Sequence, residues 1–261
     1  MFEAIITAVI AVTAIGLLCA VVLVIAAIFM SVHVDETEVK IRECLPGANC
    51  GACGYAGCDS YAKALVEEGA KANLCIPGAD SAAQGIAQIL GCDVECVDSC
   101  VAVVNCNGNC KSVKKKAEYA GIKTCRAASM IFAGELECRF GCMGCGDCAD
   151  VCPSHAICVE AGVAVIDRDL CIGCGLCSKT CPKKIISMVP RCAEVKVLCS
   201  NEDKGPAARK ACINACIGCK KCQLNCEAEA IKVENNVARI DYSKCTSCGK
   251  CREACPTKCI H

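Results

Sequence analysis

The sequence predicts one N-terminal transmembrane α-helix followed by a string of small α+β modules folded around bound metal. Three observations predict it. From Ala4 to Met30 only Thr7 and Thr13 are appreciably polar. Thirty-four of the 261 residues are cysteine. Eight of those cysteines recur, position by position, 74 residues further along the chain.

The segment 1–30 is taken first. About 20 apolar residues span a bilayer core, so this run is long enough. A cleaved secretory signal would have a basic start and a shorter apolar stretch, whereas this one opens with Glu3 and carries no Lys or Arg. Export would also carry the cysteines into an oxidising compartment. Lys40 and Arg42 on the C-terminal flank place that side in the cytoplasm by the positive-inside rule. Residues 31–43 read as a polar linker.

Residues 44–90 hold Cys50, Cys53, Cys58 and Cys75, spaced C-x2-C-x4-C-x16-C, with glycines at 51, 54 and 57 that permit tight turns. Asp59 and Ser60 are candidate caps for a helix to about Glu68, with Gly69 as its stop, and a second helix is expected from Ser81 to Leu90. Residues 91–137 are a cysteine-rich middle segment in which VAVV before Asn105 reads as a buried strand. Cys106, Cys110, Cys125 and Cys138 could supply a further cluster there. The alternative is free thiols packed as small apolar groups, and the helical spacing of Cys96 and Cys100 has the same bland reading.

Residues 138–190 and 191–261 are two modules of one design. The first carries Cys142, Cys145, Cys148 and Cys152, then Cys171, Cys174, Cys177 and Cys181. The second carries Cys216, Cys219, Cys222 and Cys226, then Cys245, Cys248, Cys251 and Cys255. Each run reads C-x2-C-x2-C-x3-C, the bacterial ferredoxin spacing for iron–sulfur ligation. The fold expected is thus two tandem ferredoxin-like 2[4Fe-4S] domains. Structural zinc uses separated C-x2-C pairs, and disulfide scaffolds are small and secreted, so both fit less well.

In two-cluster ferredoxins the fourth cysteine serves the other cluster. That rule pairs Cys181 with the 142–148 triplet, Cys152 with 171–177, Cys255 with 216–222 and Cys226 with 245–251. Pro follows three of the four runs; Glu227 follows the other, where a local change of backbone or potential is expected. AICVEAGVAVID and AIKVENNVARID alternate about a turn and read as β-hairpins, with helical turns near the third cysteine of each run. Cys138 and Cys212 each precede a module by the same three-residue gap. The count expected is at least five [4Fe-4S] clusters, or six with the middle segment.

Aromatics are 3% and Trp is absent, so cofactors must act as core in modules this small. Net charge is zero, against a nucleic-acid binder, and Lys114–Lys116 reads as a solvated face. No G-x-G-x-x-G fingerprint or flavin site is present, no residue stands out as catalytic, and His33, His155 and His261 are scattered.

An apolar anchor, then LPGANCGACGYAGC with Cys75, then modules ending CREACPTKCI, resembles the B subunit of the Rnf-type ion-translocating ferredoxin:NAD oxidoreductase of bacteria. The resemblance covers nearly the whole chain, and CVAVVNCNGNC, CRAAS and CRFGCMGCGDC look like the version found in anaerobic clostridial-type bacteria. It implies an electron-relay subunit at the inner membrane, single-pass, with its clusters on the cytoplasmic side. It implies soluble ferredoxin as donor, other membrane and peripheral subunits as partners, and coupling to Na+ or H+ export. Flavin and NAD sites would lie on those other subunits. The implied ligands are Cys50, Cys53, Cys58, Cys75 and the sixteen ferredoxin-type cysteines; Cys96, Cys100 and Cys145 depart from the family pattern. Two other readings compete. One is the iron–sulfur subunit of another membrane oxidoreductase, a hydrogenase or formate system, against which the 50–75 group argues. The other is a metal-storage or redox-sensing protein, which would need no 74-residue register.

Overall fold

The structure, a computed structural model, describes residues 2–29, 35–93 and 99–261, with side chains of the first helix given outside positions 4, 7, 8, 11 and 27–29. The apolar run forms α1 (Phe2–Phe29), 28 residues long. Its described apolar side chains, Leu17, Leu18 and Leu23 among them, face outward. The Thr13 hydroxyl donates back into the helix, 2.8 Å from the Val9 carbonyl and 2.9 Å from that of Ile10. The longest unbroken stretch of described side chains is 12–26, and among the described residues no helix is long and apolar enough to cross a membrane. Of the transmembrane reading of 1–30, the structure carries the coarser part: a long helix with apolar side chains on its outside.

The segment read as a linker is largely helical. Asp35 accepts from the Thr37 N–H at 2.8 Å and caps α2 (Glu36–Cys44), whose first turn carries Glu36 and Glu38 at the positive end of the helix dipole. Ile41 and Leu45 pack with Tyr61, Leu65 and Ile86 of α3 (Cys58–Glu67) and α4 (Ala79–Leu90) in one core. Helix α3 starts at Cys58, ahead of the expected caps, because Gly57 is its N-cap without any side-chain bond. Asp59 instead pairs with Arg42 and ties α2 to α3. Gly69 follows the helix end in the left-handed region, φ +64°, as a stop.

The middle segment does not stand alone. VAVV lies in β1 (Cys100–Val104), which pairs antiparallel with β4 (Ile186–Pro190), Val101 opposite Val189 and Val104 opposite Ile186. Cys100 therefore opens a strand, not a helical face, and Cys96 lies outside the described residues. Further on, α5 (Cys125–Met130) is capped by Thr124.

The two modules follow one plan. In the first, α6 (Asp147–Asp150), the hairpin β2 (Ile157–Glu160) and β3 (Val163–Ile166), and α7 (Leu176–Thr180) lead to β4. In the second, α8 (Gly205–Ala211) precedes α9 (Lys221–Leu224), the hairpin β5 (Ile231–Glu234) and β6 (Val237–Ile240), and α10 (Lys250–Glu253). Lys196 and His261 then exchange backbone hydrogen bonds of 2.7 and 2.9 Å, and Val197 faces Ile260. This short pair reproduces in the second module what β1 and β4 do in the first. Each module has its own buried core, and cysteines are part of both.

Candidate iron–sulfur sites

Local backbone explains why these loops turn cysteines inward. In all four runs the residue before the second cysteine and the residue after it have positive φ: Gly144 and Gly146, Gly173 and Gly175, Gly218 and Lys220, Ser247 and Gly249. Such alternation aims successive amides into one concavity, a nest suited to negative charge. Around Cys53 the left-handed residues are Gly51, two before it, and Gly54, one after it. Two glycines also meet steric limits. A Cβ on Gly144 would lie 2.6 Å from the Gly162 carbonyl oxygen, and one on Gly173 would lie 2.4 Å from that of Cys100.

A common turn closes every run. The third residue after the fourth cysteine is left-handed in each case (His155, Lys184, Glu229, Lys258), and its N–H donates to the carbonyl of that cysteine at 3.1–3.3 Å. The turn after Cys226 is the same as the others, so the backbone change expected from Glu227 is absent. The hydrogen bond and the left-handed residue set this turn, not the proline ring. Glu227 pairs with Lys250, which holds its carboxyl below the usual range.

Cys50, Cys53, Cys58 and Cys75 line one small cavity with Leu45 and Tyr61. Asn49 accepts from the Cys58 N–H at 2.8 Å. The buried Tyr61 hydroxyl donates to the Lys71 carbonyl at 2.6 Å and accepts from the Leu74 N–H at 3.3 Å, which holds the return loop that delivers Cys75. Burial pushes the Tyr61 phenol up to about 12. It also raises the Cys75 thiol, with Cys58, Cys50 and Cys53 adding to the rise.

In the second module, Cys216, Cys219, Cys222 and Cys255 line a small cavity. Cys226 joins Cys245, Cys248 and Cys251 around another. The fourth cysteine of each run thus faces the triplet of the other. Cys259 stands 3.6 Å from the Cys255 sulfur as a fifth thiol, and hydrogen bonding from it lowers both Cys216 and Cys255.

The first module brings the corresponding groups together. Burial raises Cys148 to about 12, with the nearby Cys142, Cys125 and Cys181 adding to the rise. Cys177 is raised to about 11, first by burial and then by Cys174, Cys171 and Cys152. Cys145 is raised by burial and then by Cys125, which lies beside it. The domains also meet here. After burial, Cys50 is the next influence raising the Cys174 thiol, and a Cβ on Gly173 would come within 3.5 Å of Ile76.

The predicted group Cys106, Cys110, Cys125 and Cys138 does not assemble. Cys110 is exposed, its N–H bonded to the Ala161 carbonyl, and Cys125 has gone to the 142–148 triplet. Cys106 and Cys138 instead share a cavity with Cys199 and Cys212. Burial raises Cys106 to about 12 and Cys199 to about 11. Cys199 belongs to none of the spaced runs; its one signal in the sequence is its place just after the alternating VKVL.

The twenty motif cysteines are all free thiols. Among the described residues no three Cys, His, Asp or Glu side chains converge on a point that could hold a single ion. Four thiols grouped around each small cavity, beside left-handed loops that aim amides inward, fit a polynuclear group better than one ion held at about 2.3 Å per sulfur.

Residues 45–77 match the Fe-S cluster (FeS) family, residues 141–185 the 4Fe-4S dicluster domain and residues 238–261 the 4Fe-4S binding domain. Loops, cavities and these matches define the class: an iron–sulfur protein of the 4Fe-4S type, built for electron transfer. Among its relatives is the B subunit of the Na(+)-translocating ferredoxin:NAD(+) oxidoreductase complex of Acetobacterium woodii, 42% identical over 94% of this chain and 74% of that one. The proton-translocating counterpart of Clostridium ljungdahlii is 40% identical over 95% and 89%. The B subunit of the ion-translocating oxidoreductase complex of Methanosarcina acetivorans is 38% identical over 94% and 93%. The chain belongs to this family, the B subunits of the Rnf-type ion-translocating ferredoxin:NAD oxidoreductase complexes.

Proposed function

We propose that this chain is the multi-cluster relay of such a complex, passing electrons from reduced ferredoxin towards partner subunits that reduce NAD and export Na+ or H+. One observation carries the reading: the cysteine groups of the first domain and the first module meet, with Cys50 close enough to act on the Cys174 thiol and Ile76 against Gly173. Bound [4Fe-4S] clusters supply single-electron uptake and release. The chain's own residues hold and insulate them. Cys50, Cys53, Cys58 and Cys75 would ligate the first cluster. Four more would be held by the two modules, each with one cysteine exchanged between runs. The buried apolar walls and inward amides set how readily each site takes an electron.

Anchoring is part of the proposal. At 1.5 Å per residue, the 28 residues of α1 extend roughly 42 Å, against a hydrocarbon core of about 30 Å. No charged residue lies between Glu3 and Asp35, and the Thr13 hydroxyl is satisfied within the helix, as lipid requires. Lys40 and Arg42 favour clusters on the cytoplasmic side. The relatives export different ions, so either ion fits.

The test is stopped-flow mixing of the anaerobic, cluster-loaded chain with reduced ferredoxin. Bleaching of the iron–sulfur absorbance by several electrons per chain is expected. No electron uptake at micromolar ferredoxin would end the relay reading.

A further inference from the structure

Cys106, Cys138, Cys199 and Cys212 line one small cavity, as the motif cysteines do. It lies between the cores of the two modules. Cys138, Cys199 and Cys212 are under one-tenth exposed, and no charged side chain lines the site.

The four thiols come in equivalent pairs. Cys138 and Cys212 stand 74 residues apart, each four residues before the first cysteine of a module. Cys106 and Cys199 are equivalent through the strands: Val104 faces Ile186 and Val197 faces Ile260, and each cysteine lies two residues further on. The hydrogen bonds repeat as well. Cys106 sulfur accepts from the N–H groups of Gly108 at 3.4 Å and Cys142 at 3.3 Å. Cys199 sulfur accepts from Asn201 at 3.4 Å and Cys216 at 3.2 Å. Cys138 sulfur accepts from the Asn201 side chain at 3.6 Å, and the backbone at Phe140 and Gly141, and at Asn214, favours the thiolates of Cys138 and Cys212. Thiols packed merely as small apolar groups need neither a cavity nor converging amides. Amides on sulfur are what a cluster thiolate requires.

We propose that Cys106, Cys138, Cys199 and Cys212 bind a further [4Fe-4S] cluster that bridges the two ferredoxin-like modules. Each sulfur bonds one iron and releases one proton, so a core of charge 2+ with four thiolates carries a net charge of 2−. The site is one hydrogen bond from Cys142 of one module and one from Cys216 of the other. A redox centre there sits where the two modules already meet, beside the Val113–Cys212 bridge and the Arg139–Asp203 ion pair.

The inference rests on the run cysteines being cluster ligands, and one experiment separates the two. Iron-edge anomalous diffraction from crystals of the anaerobically purified full chain should show six iron sites, one among these four sulfurs. Five sites, with none here, overturn the bridging cluster and leave the relay intact. No iron at the motif cysteines overturns the relay itself. In solution, the double substitution Cys106→Ala/Cys199→Ala should lose four irons and four sulfides per chain, whereas Cys192→Ala, exposed and outside the cavities described above, should lose none. Unchanged iron in the double variant also overturns the proposal, and if that variant misfolds the diffraction map of the unaltered chain decides.

Discussion

The loop that carries Cys75 back to its cavity hangs on one hydroxyl, and Tyr61→Phe removes it. The ring is 1% exposed, so the phenyl replacement keeps the packing. What goes are two hydrogen bonds, to the Lys71 carbonyl and from the Leu74 N–H. At about 1 kcal/mol net for each, the loop over 71–75 loses about 2 kcal/mol against local opening. Since 1.4 kcal/mol is tenfold, the open population rises about 30-fold. Opening exposes the Cys75 ligand, so iron should leave this site about 30-fold faster when excess chelator is added to the anaerobic protein. The assay is the slow loss of iron–sulfur absorbance under chelator, with iron counted at each stage. The release from the other sites should not change. A rate for Tyr61→Phe within twofold of the unaltered protein would refute the role given to the hydroxyl.

Other outcomes follow from the same geometry. Gly173→Ala puts a Cβ against the Cys100 carbonyl in a left-handed backbone, whereas Gly175→Ala meets no atom within 4 Å. The second should cost only the backbone term of about 1–2 kcal/mol and the first clearly more, read as shifts in the denaturant midpoint; equal shifts would contradict the close approach. Cys125→Ser should leave the iron content unchanged, because Cys145 completes the 142–148 triplet. A loss of four irons would hand that ligand place to Cys125. Deleting residues 1–30 should move the protein from the membrane to the soluble fraction, and continued membrane binding would remove α1 as the anchor.

Much of this arrangement was legible from the cysteines alone. The 74-residue register located both hairpins, because they are local and duplicated together, and the ferredoxin rule for the fourth cysteine matches the cavity linings of the second module. The sites that stayed hidden depend on long-range pairing. β1 lies more than 80 residues before its partner β4, so the middle segment looked independent when it completes the first module. Cys106 and Cys199 are equivalent, yet they are 93 residues apart, out of step with the repeat, and no search at 74 could relate them. Cys125 was misplaced for a similar reason. Its helix is pinned by Asp147, whose carboxylate accepts from the N–H groups of Cys125 and Arg126, a contact that spacing does not show. Glu227 misled in the other direction, since the turn after Cys226 is held by the left-handed Glu229 and needs no proline.

The central claim is that the motif cysteines hold cubane clusters along one electron path. Mössbauer spectroscopy of the iron-57-enriched, anaerobically purified chain, before and after reduced ferredoxin is added, tests it most directly. Essentially all iron should be tetrathiolate-ligated [4Fe-4S], equimolar with labile sulfide, and ferredoxin should convert several clusters per chain to the reduced form. Isolated zinc or mononuclear iron without sulfide, or clusters that ferredoxin leaves oxidised, would contradict it.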